Sequence, residues 1–241
     1  MAKSKSRRRK AQGPGLLARL RLWILRGLLA VLVLGLLCIA LLSVISPITT
    51  PYMLSESRRL GGVSYDWVPM DEIAPVMARS AVAAEDARFC QHWGFDMEAI
   101  RAALDDGAAR GASTISQQVV KNVFLWQGRS WPRKALEAAL TPVTELIWTK
   151  RRMLAIYLNV AEFDEGVFGV EAAARHYFGV SAADLSPVQA ARLAAILPDP
   201  KGRSASNPSQ FVRQRAASIL DGAATIQRDG RAACFERATA P

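Results

Sequence analysis

A mainly α-helical domain behind one membrane-crossing helix is the fold class this sequence predicts, and three observations carry it. Nineteen residues from Gly27 to Ile45 contain no charge. From about Ile73 the chain is Ala-rich, with apolar residues at helical spacing almost to its end. Runs that alternate, or that concentrate β-branched residues, are few, so no extended sheet is expected.

The elements come in this order. The formal charge of +10 suggests a nucleic-acid partner until it is located. Residues 1–26 hold nine cations and no acid: Lys3, Lys5, Arg7, Arg8, Arg9, Lys10, Arg19, Arg21 and Arg26. Removing those nine from 31 bases leaves 22 against all 21 acids, so the remainder is nearly neutral. The basicity belongs to a tail beside an apolar run, and no nucleic acid is expected as partner. That run, residues 27–46, predicts a transmembrane helix; its nineteen uncharged residues span about 28 Å, against a ~30 Å hydrocarbon layer. Trp23 falls at headgroup level and Pro47 ends the helix. A signal peptide would have a shorter apolar region and a small-x-small cleavage site, so a retained anchor is expected. The flanking cations predict a cytoplasmic N-terminus and a periplasmic body.

Residues 47–72, with Pro51, Pro69 and a Gly61-Gly62 pair, read as a connector. Residues 73–226 read as the domain, with helices predicted at 74–87, 96–105, 113–123, 133–160, 167–177, 187–196 and 208–226. Ser130 followed by Pro132 is a start signal for the longest of these. Leu136, Leu140, Val143, Ile147, Leu154 and Leu158 give it a buried stripe, and Pro142 is expected to kink or split it. Residues 227–241 read as a frayed tail. Cys90 and Cys234 are the cysteines outside the apolar run; two alone show no disulfide framework and are expected to remain unbridged. His92 and His176 form no metal-binding pattern, so no metal site is expected.

Three segments hold candidate chemistry. Along 113–123, at roughly 100° per residue, Ser113, Thr114, Gln117, Gln118, Lys121 and Asn122 sweep one half of the wheel. Hydroxyls, amides and an ammonium without a paired acid suit an anionic, hydroxyl-rich ligand such as a glycosyl phosphate; an ordinary solvated helix face is the plain alternative for the helix taken alone. Glu85-Asp86 ends an Ala-rich stretch, and a carboxylate at an apolar edge loses hydration, so its pKa moves toward general-base range; a helix-end acid paired with Arg88 is the plain structural alternative. Glu137 comes after Arg129, Arg133 and Lys134; an i, i+4 ion pair with Arg133 is the plain structural alternative for it.

The residues then resemble the peptidoglycan glycosyltransferase family, in its monofunctional form. Glu85-Asp86-x-x-Phe89-x-x-His92-x-Gly94 resembles its first motif, and Gly111-x-Ser113-Thr114-Ile115-x-Gln117-Gln118-x-x-Lys121-Asn122 its second. Arg133-Lys134-x-x-Glu137 is similar to the third and Lys150-x-x-x-Leu154-x-x-Tyr157-Leu158-Asn159 to the fourth. Arg215-x-x-x-Ile219-Leu220 resembles the fifth, and the likeness covers about 65–222. The resemblance implies a lysozyme-like helical glycosyltransferase domain in the inner membrane, polymerising glycan from lipid II with loss of polyprenyl diphosphate and inversion to a β-1,4 linkage. It implies Glu85 as base, with Glu137 assisting at the donor through a divalent ion or by orienting cations. Lys121, Arg129 and Arg133 would then face the pyrophosphate, and Asp86, Phe89, His92, Ser113, Thr114, Gln117, Gln118, Asn122 and Lys134 the rest of the substrate. Implied partners are the growing glycan strand and cell-wall synthesis or division proteins; no cofactor is obligatory. No Ser-x-x-Lys or Lys-Thr-Gly occurs, so no transpeptidase activity is expected.

Two other classes compete. A lysozyme-like hydrolase or lytic transglycosylase also uses a catalytic Glu on a helical fold, but needs no cationic cluster beside it. A membrane-tethered scaffold or nucleic-acid binder would depend on residues 1–22.

Overall fold

The computed structural model describes residues 15–107, 111 and 113–236, in two compact units that divide after Leu42. Of the basic tail, Lys3 to Lys10 lie outside the described residues. The first unit is one helix, α1 (Leu16–Leu42), whose stretch Arg19–Leu42 is long and apolar enough to cross a membrane. It begins earlier than the predicted span and carries Arg19, Arg21 and Arg26 within it.

The second unit starts differently from the expected connector. Thr50 caps α2 (Pro51–Leu60) by accepting from Met53 N, and Gly61, at φ +79°, ends it. Strand β1 (Ser64–Tyr65) and one 3-10 turn (Met70–Glu72) come next. Pro51, which read as connector punctuation, is a helix start and opens α2, and Pro75 opens α3 (Pro75–Glu85). After them lie α4 (Met97–Asp105), α5 (Ile115–Phe124), α6 (Trp131–Ile147) and α7 (Lys150–Val160).

The predicted helix 133–160 is thus two helices, and the break falls at Trp148–Thr149, not at Pro142. Trp148 turns extended, and the Thr149 hydroxyl accepts from Arg152 N to start α7. Pro142 stays inside α6. Its missing N–H would have bonded one turn back, at Ala138, an exposed position where water can take the carbonyl.

Strands β2 (Glu162–Asp164) and β3 (Val167–Phe168) complete a small sheet in the order β1-β3-β2, with β1 parallel and β2 antiparallel to β3. Gly169 must be glycine: its φ is +84°, and an added Cβ would stand 2.7 Å from the Asn159 carbonyl oxygen. After α8 (Val170–Phe178) come α9 (Pro187–Ile196) and α10 (Gln210–Arg228).

α7 is the central helix, buried from Met153 through Val160. α5 packs on α6 and α7, while α3, α9 and α10 form a second group. Alanines allow that group to close tightly: Ala78, Ala81, Ala190, Ala191, Ala194, Ala195, Ala216 and Ala223 are all buried. Residues 230–236 are not frayed. Phe235 is fully buried, Arg79 Nη1 bonds Glu236 Oε1 at 2.5 Å, and Cys234 forms a disulfide with Cys90. The two cysteines expected to stay apart are therefore joined, because the chain returns 144 residues later to the loop after α3. Residues 237–241 lie outside the described part.

Candidate active site

Glu85 is the last residue of α3, and Asp86 leaves helical geometry while its N–H still bonds Val82 O. This turn separates the adjacent acids. Asp86 points inward, its Oδ2 accepting from Ile115 N at 3.0 Å and its Oδ1 lying 2.8 Å from His92 Nε2. A carboxylate there satisfies a free N–H at the start of α5 and complements the helix dipole. Glu85 faces an open cleft of about 450 Å³, lined also by Ala84, Arg88, Asp96, Ala99 and Ser113. Its Oε2 accepts from Gln118 Nε2 at 2.9 Å, while buried Oε1 has no hydrogen-bond partner. Burial pushes the Glu85 carboxyl above its ordinary range, against the bond from Gln118 and the charges of Arg215 and Lys121; Asp86 adds to the rise.

The start of α5 is built by a capping box. Thr114 Oγ1 accepts from Gln117 N, and Gln117 Oε1 accepts from Thr114 N at 3.1 Å. Thr114 also donates to Gly94 O at 2.6 Å, and Gly94 at φ +85° has no room for a side chain, since a Cβ would meet Thr141 Cγ2 at 2.7 Å. The polar half-wheel is therefore not a single ligand face. Thr114 and Gln117 are buried and occupied with capping, and buried Asn122 accepts from Gln127 Nε2 at 3.4 Å. Gln118 and Lys121 reach Glu85's side of the helix. Ser113 lies just before α5 and is exposed. Phe89, expected against the substrate, is fully buried and touches His92 and Phe235 instead.

Lys121 lies within the fields of both glutamates. Burial lowers its ammonium below the ordinary lysine range; Glu137 and Glu85 oppose this, and Arg133 and Lys134 reinforce it. Glu137 is itself buried between two cations, Arg133 Nη1 at 2.8 Å and Lys134 Nζ. Lys134 Nζ also donates to Ser113 Oγ at 3.3 Å. A cleft of about 310 Å³ opens at the start of α6, lined by Arg129, Ser130, Trp131, Arg133 and Lys134. The Lys134–Ser113 bond joins a residue of this cationic cleft to one of the Glu85 cleft. Among the described residues, Lys121 and Arg129 make no ion pair with protein carboxylates. The arrangement thus sets one desolvated acid beside one cleft and cations with spare capacity beside the other. Another cavity, about 700 Å³ and lined by Arg79, Arg151 and Glu236 among others, is lined by neither Glu85 nor Glu137.

Glu137 offers a divalent ion no free oxygen. Both Glu137 oxygens bond cations. Asp86, His92 and Asp96 bring polar atoms within 4.8 Å of one another, but Arg88 grips both oxygens of Asp96, at 2.9 and 2.5 Å. Several structural contacts do not follow from the local pattern, although Lys150 and Arg215 stand in the fourth and fifth motifs. Ser116 donates to Glu145, Lys150 Nζ lies 2.8 Å from Glu145 Oε1 and 4.5 Å above the Phe89 ring, and together they clamp α5 to α6 and α7. Arg215, from α10, brings Nη2 to 3.8 Å from Glu85 Oε1.

Comparison with known proteins adds an independent finding. A family model described as transglycosylase matches residues 55–224. A protein named biosynthetic peptidoglycan transglycosylase from Jannaschia sp. (strain CCS1) is 61% identical over 96% of this chain and 97% of its own. Proteins of the same name from Pectobacterium atrosepticum and Caulobacter vibrioides are 49% and 45% identical, each over 88% of this chain and over 91% and 94% of their own.

Proposed function

The chain belongs to the transglycosylase family, and we propose that it polymerises peptidoglycan glycan strands from lipid II, releasing polyprenyl diphosphate and inverting the anomeric centre. The observation that carries this reading is the pairing of a desolvated carboxyl, Glu85, with cations across adjoining clefts. The 4-hydroxyl of one sugar attacks the anomeric carbon of the other. Its proton passes to Glu85, a C–O bond forms to the acceptor, and the bond to diphosphate breaks with its electron pair on the leaving oxygen. A carboxyl raised by burial holds that proton better than an exposed one, which is what a general base requires. Lys121, Arg129 and Arg133 stabilise the charge developing on diphosphate through fixed electrostatics in a poorly hydrated site. Glu137 acts as an orienting group, because both its oxygens already hold Arg133 and Lys134. A divalent ion at Glu137 does not fit those bonds, and no step is assigned to one. Asp86 and His92 set the position of the α5 start against Glu85.

In this reading the body is periplasmic, with α1 as a single-pass anchor in the inner membrane; a membrane-confined substrate favours a membrane-confined enzyme. Glu85→Gln is expected to lower glycan polymer from purified lipid II by about 10²–10⁴-fold, on the scale of lost general-base catalysis. The circular dichroism spectrum and melting temperature should stay near those of the parent. Polymerisation by that variant at the parent's rate would remove Glu85 from the mechanism. Release of muropeptides from purified sacculi would instead favour the lytic alternative.

A further inference from the structure

We propose that Arg215 is the positioning residue for the general base, fastening the Glu85 carboxylate at the end of α3 and keeping it charged for its task. This rests on the assignment of Glu85 as base and goes further, giving α10 a part in the reaction. Three positions along α10 face α3. Arg215 Nη2 donates to Ala84 O at 3.3 Å, one of the carbonyls that the last turn of α3 leaves free. Ile219, one turn on, is buried, and Gly222 comes so near that an added Cβ would lie 3.2 Å from Ala83 Cβ. Spacings of four and three residues place all three on one helix face. The guanidinium is thus set by two packed helices and not by a flexible side chain alone. Its Nη2 stands 3.8 Å from Glu85 Oε1, the oxygen without a hydrogen-bond partner, while Arg215 Nε is buried with no acceptor.

The groups facing Glu85 come from four elements. Gln118 and Lys121 project from α5, Asp86 is its neighbour in the chain, the buried Tyr157 hydroxyl comes from α7, and Arg215 from α10. Among these only Lys121 and Arg215 are cations; Arg88 and Asp96, which line the same cleft, are paired with each other. Lys121 also answers to Glu137 and to the charges at the start of α6, so its field is shared with the donor side. Among the described residues Arg215 has Glu85 as its one carboxylate partner, and its charge opposes the burial and the Asp86 charge that push that carboxyl toward protonation.

The test is the pH dependence of kcat/KM for lipid II polymerisation by the full-length chain in lipid vesicles. Arg215→Gln is expected to move the acidic limb upward by about one pH unit, the scale of losing one nearby opposite charge. Arg215→Lys, which keeps the charge, should leave the limb near the parent's position. A limb that stays in place in Arg215→Gln, with a rate lowered equally at every pH, would overturn the proposal and leave Arg215 a packing residue. If Arg215→Gln melts well below the parent, Arg215→Met, of similar volume and uncharged, is read by the same two outcomes. Glu85→Gln, run alongside, separates the two levels: retained activity there removes the base assignment itself, whereas its loss with an unmoved limb removes only Arg215.

Discussion

Lys121 and Glu137 share one electrostatic neighbourhood, yet neutralising each should have opposite consequences for the fold. Lys121 is a partly buried ammonium with, among the described residues, no carboxylate in ion-pair contact, and its lowered pKa marks a group that burial destabilises. Lys121→Met is therefore expected to leave the melting temperature unchanged or higher. The same substitution should cut polymerisation by about 10²–10³-fold, the scale of removing one fixed oxyanion-stabilising donor. Glu137 is the reverse case. Buried with Arg133 and Lys134 on its two oxygens, it leaves a buried guanidinium without its countercharge when changed to Gln. Breaking a buried pair in this way costs about 3–5 kcal/mol at most, less here because Lys134 is partly exposed. Urea unfolding of both variants separates the roles: a destabilised Lys121→Met, or an undisturbed Glu137→Gln, contradicts the assignment. Much of this neighbourhood was legible in the sequence, because residues 113–137 lie on consecutive helices and the charge pattern is local. Two limits were physical. Periodicity shows which side of a helix is polar, but not that Thr114 and Gln117 spend their polarity on the helix's own first turn. Nor does it reveal Arg215, which reaches Glu85 only through the packing of α10 on α3.

At the scale of elements, the helices most visible in the sequence were those with an apolar period and a cap, such as 187–196, where Ser186 and Gln189 form a capping box. The break at Trp148–Thr149 was hidden because a periodic stripe continues on both sides of it, while Pro142, the louder signal, sits where water can serve the orphaned carbonyl. The connector concealed α2, which is amphiphilic and held by charge. Its Glu56 bonds Arg59 Nε at 3.2 Å and Lys201 Nζ at 2.9 Å, and these cations lower its carboxyl to about 2. A carboxyl depressed by folding contributes stability above its unfolded value, near ~4.3, and loses it as pH falls toward the folded one. The melting temperature should therefore fall as pH drops from about 4.5 toward 2, and Glu56→Gln should flatten that fall while lowering stability at neutral pH. A Glu56→Gln variant with the parent's acid sensitivity would show that other carboxyls dominate. The bridge from Cys90 to Cys234 acts on the same scale. It ties residues 230–236 to the loop that carries His92, beside the Arg231 Nη1 to Ala87 O bond of 2.9 Å. Two cysteines 144 residues apart give no sign of proximity in a sequence. Removing such a native bridge generally costs about 2–5 kcal/mol, so Cys234→Ser should unfold at clearly lower urea concentration.

For the whole molecule, charge and redox chemistry make one joint statement about topology. A basic segment before an apolar helix is retained on the cytoplasmic side, which sends the domain C-terminal to that helix across the membrane. Disulfides persist in oxidising compartments and are reduced in the cytosol. The basic tail supplies the first argument, and the Cys90–Cys234 bridge supplies the second without reference to charge. Both lead to the same expectation, and thiol counting checks it. The chain has three cysteines, of which Cys38 alone is free. Full-length protein taken from bacterial membranes, quenched in acid and denatured without reductant, should accept one maleimide-polyethylene glycol chain on Cys38. After reduction it should accept three, one for each cysteine of the chain. Three labels without reduction would mean that the body never entered an oxidising compartment, and the proposed orientation would fall, whatever activity the purified protein retained. A single label would at the same time fix the redox state in which the loop between Asp86 and His92 is held, and so the state in which polymerisation is to be measured.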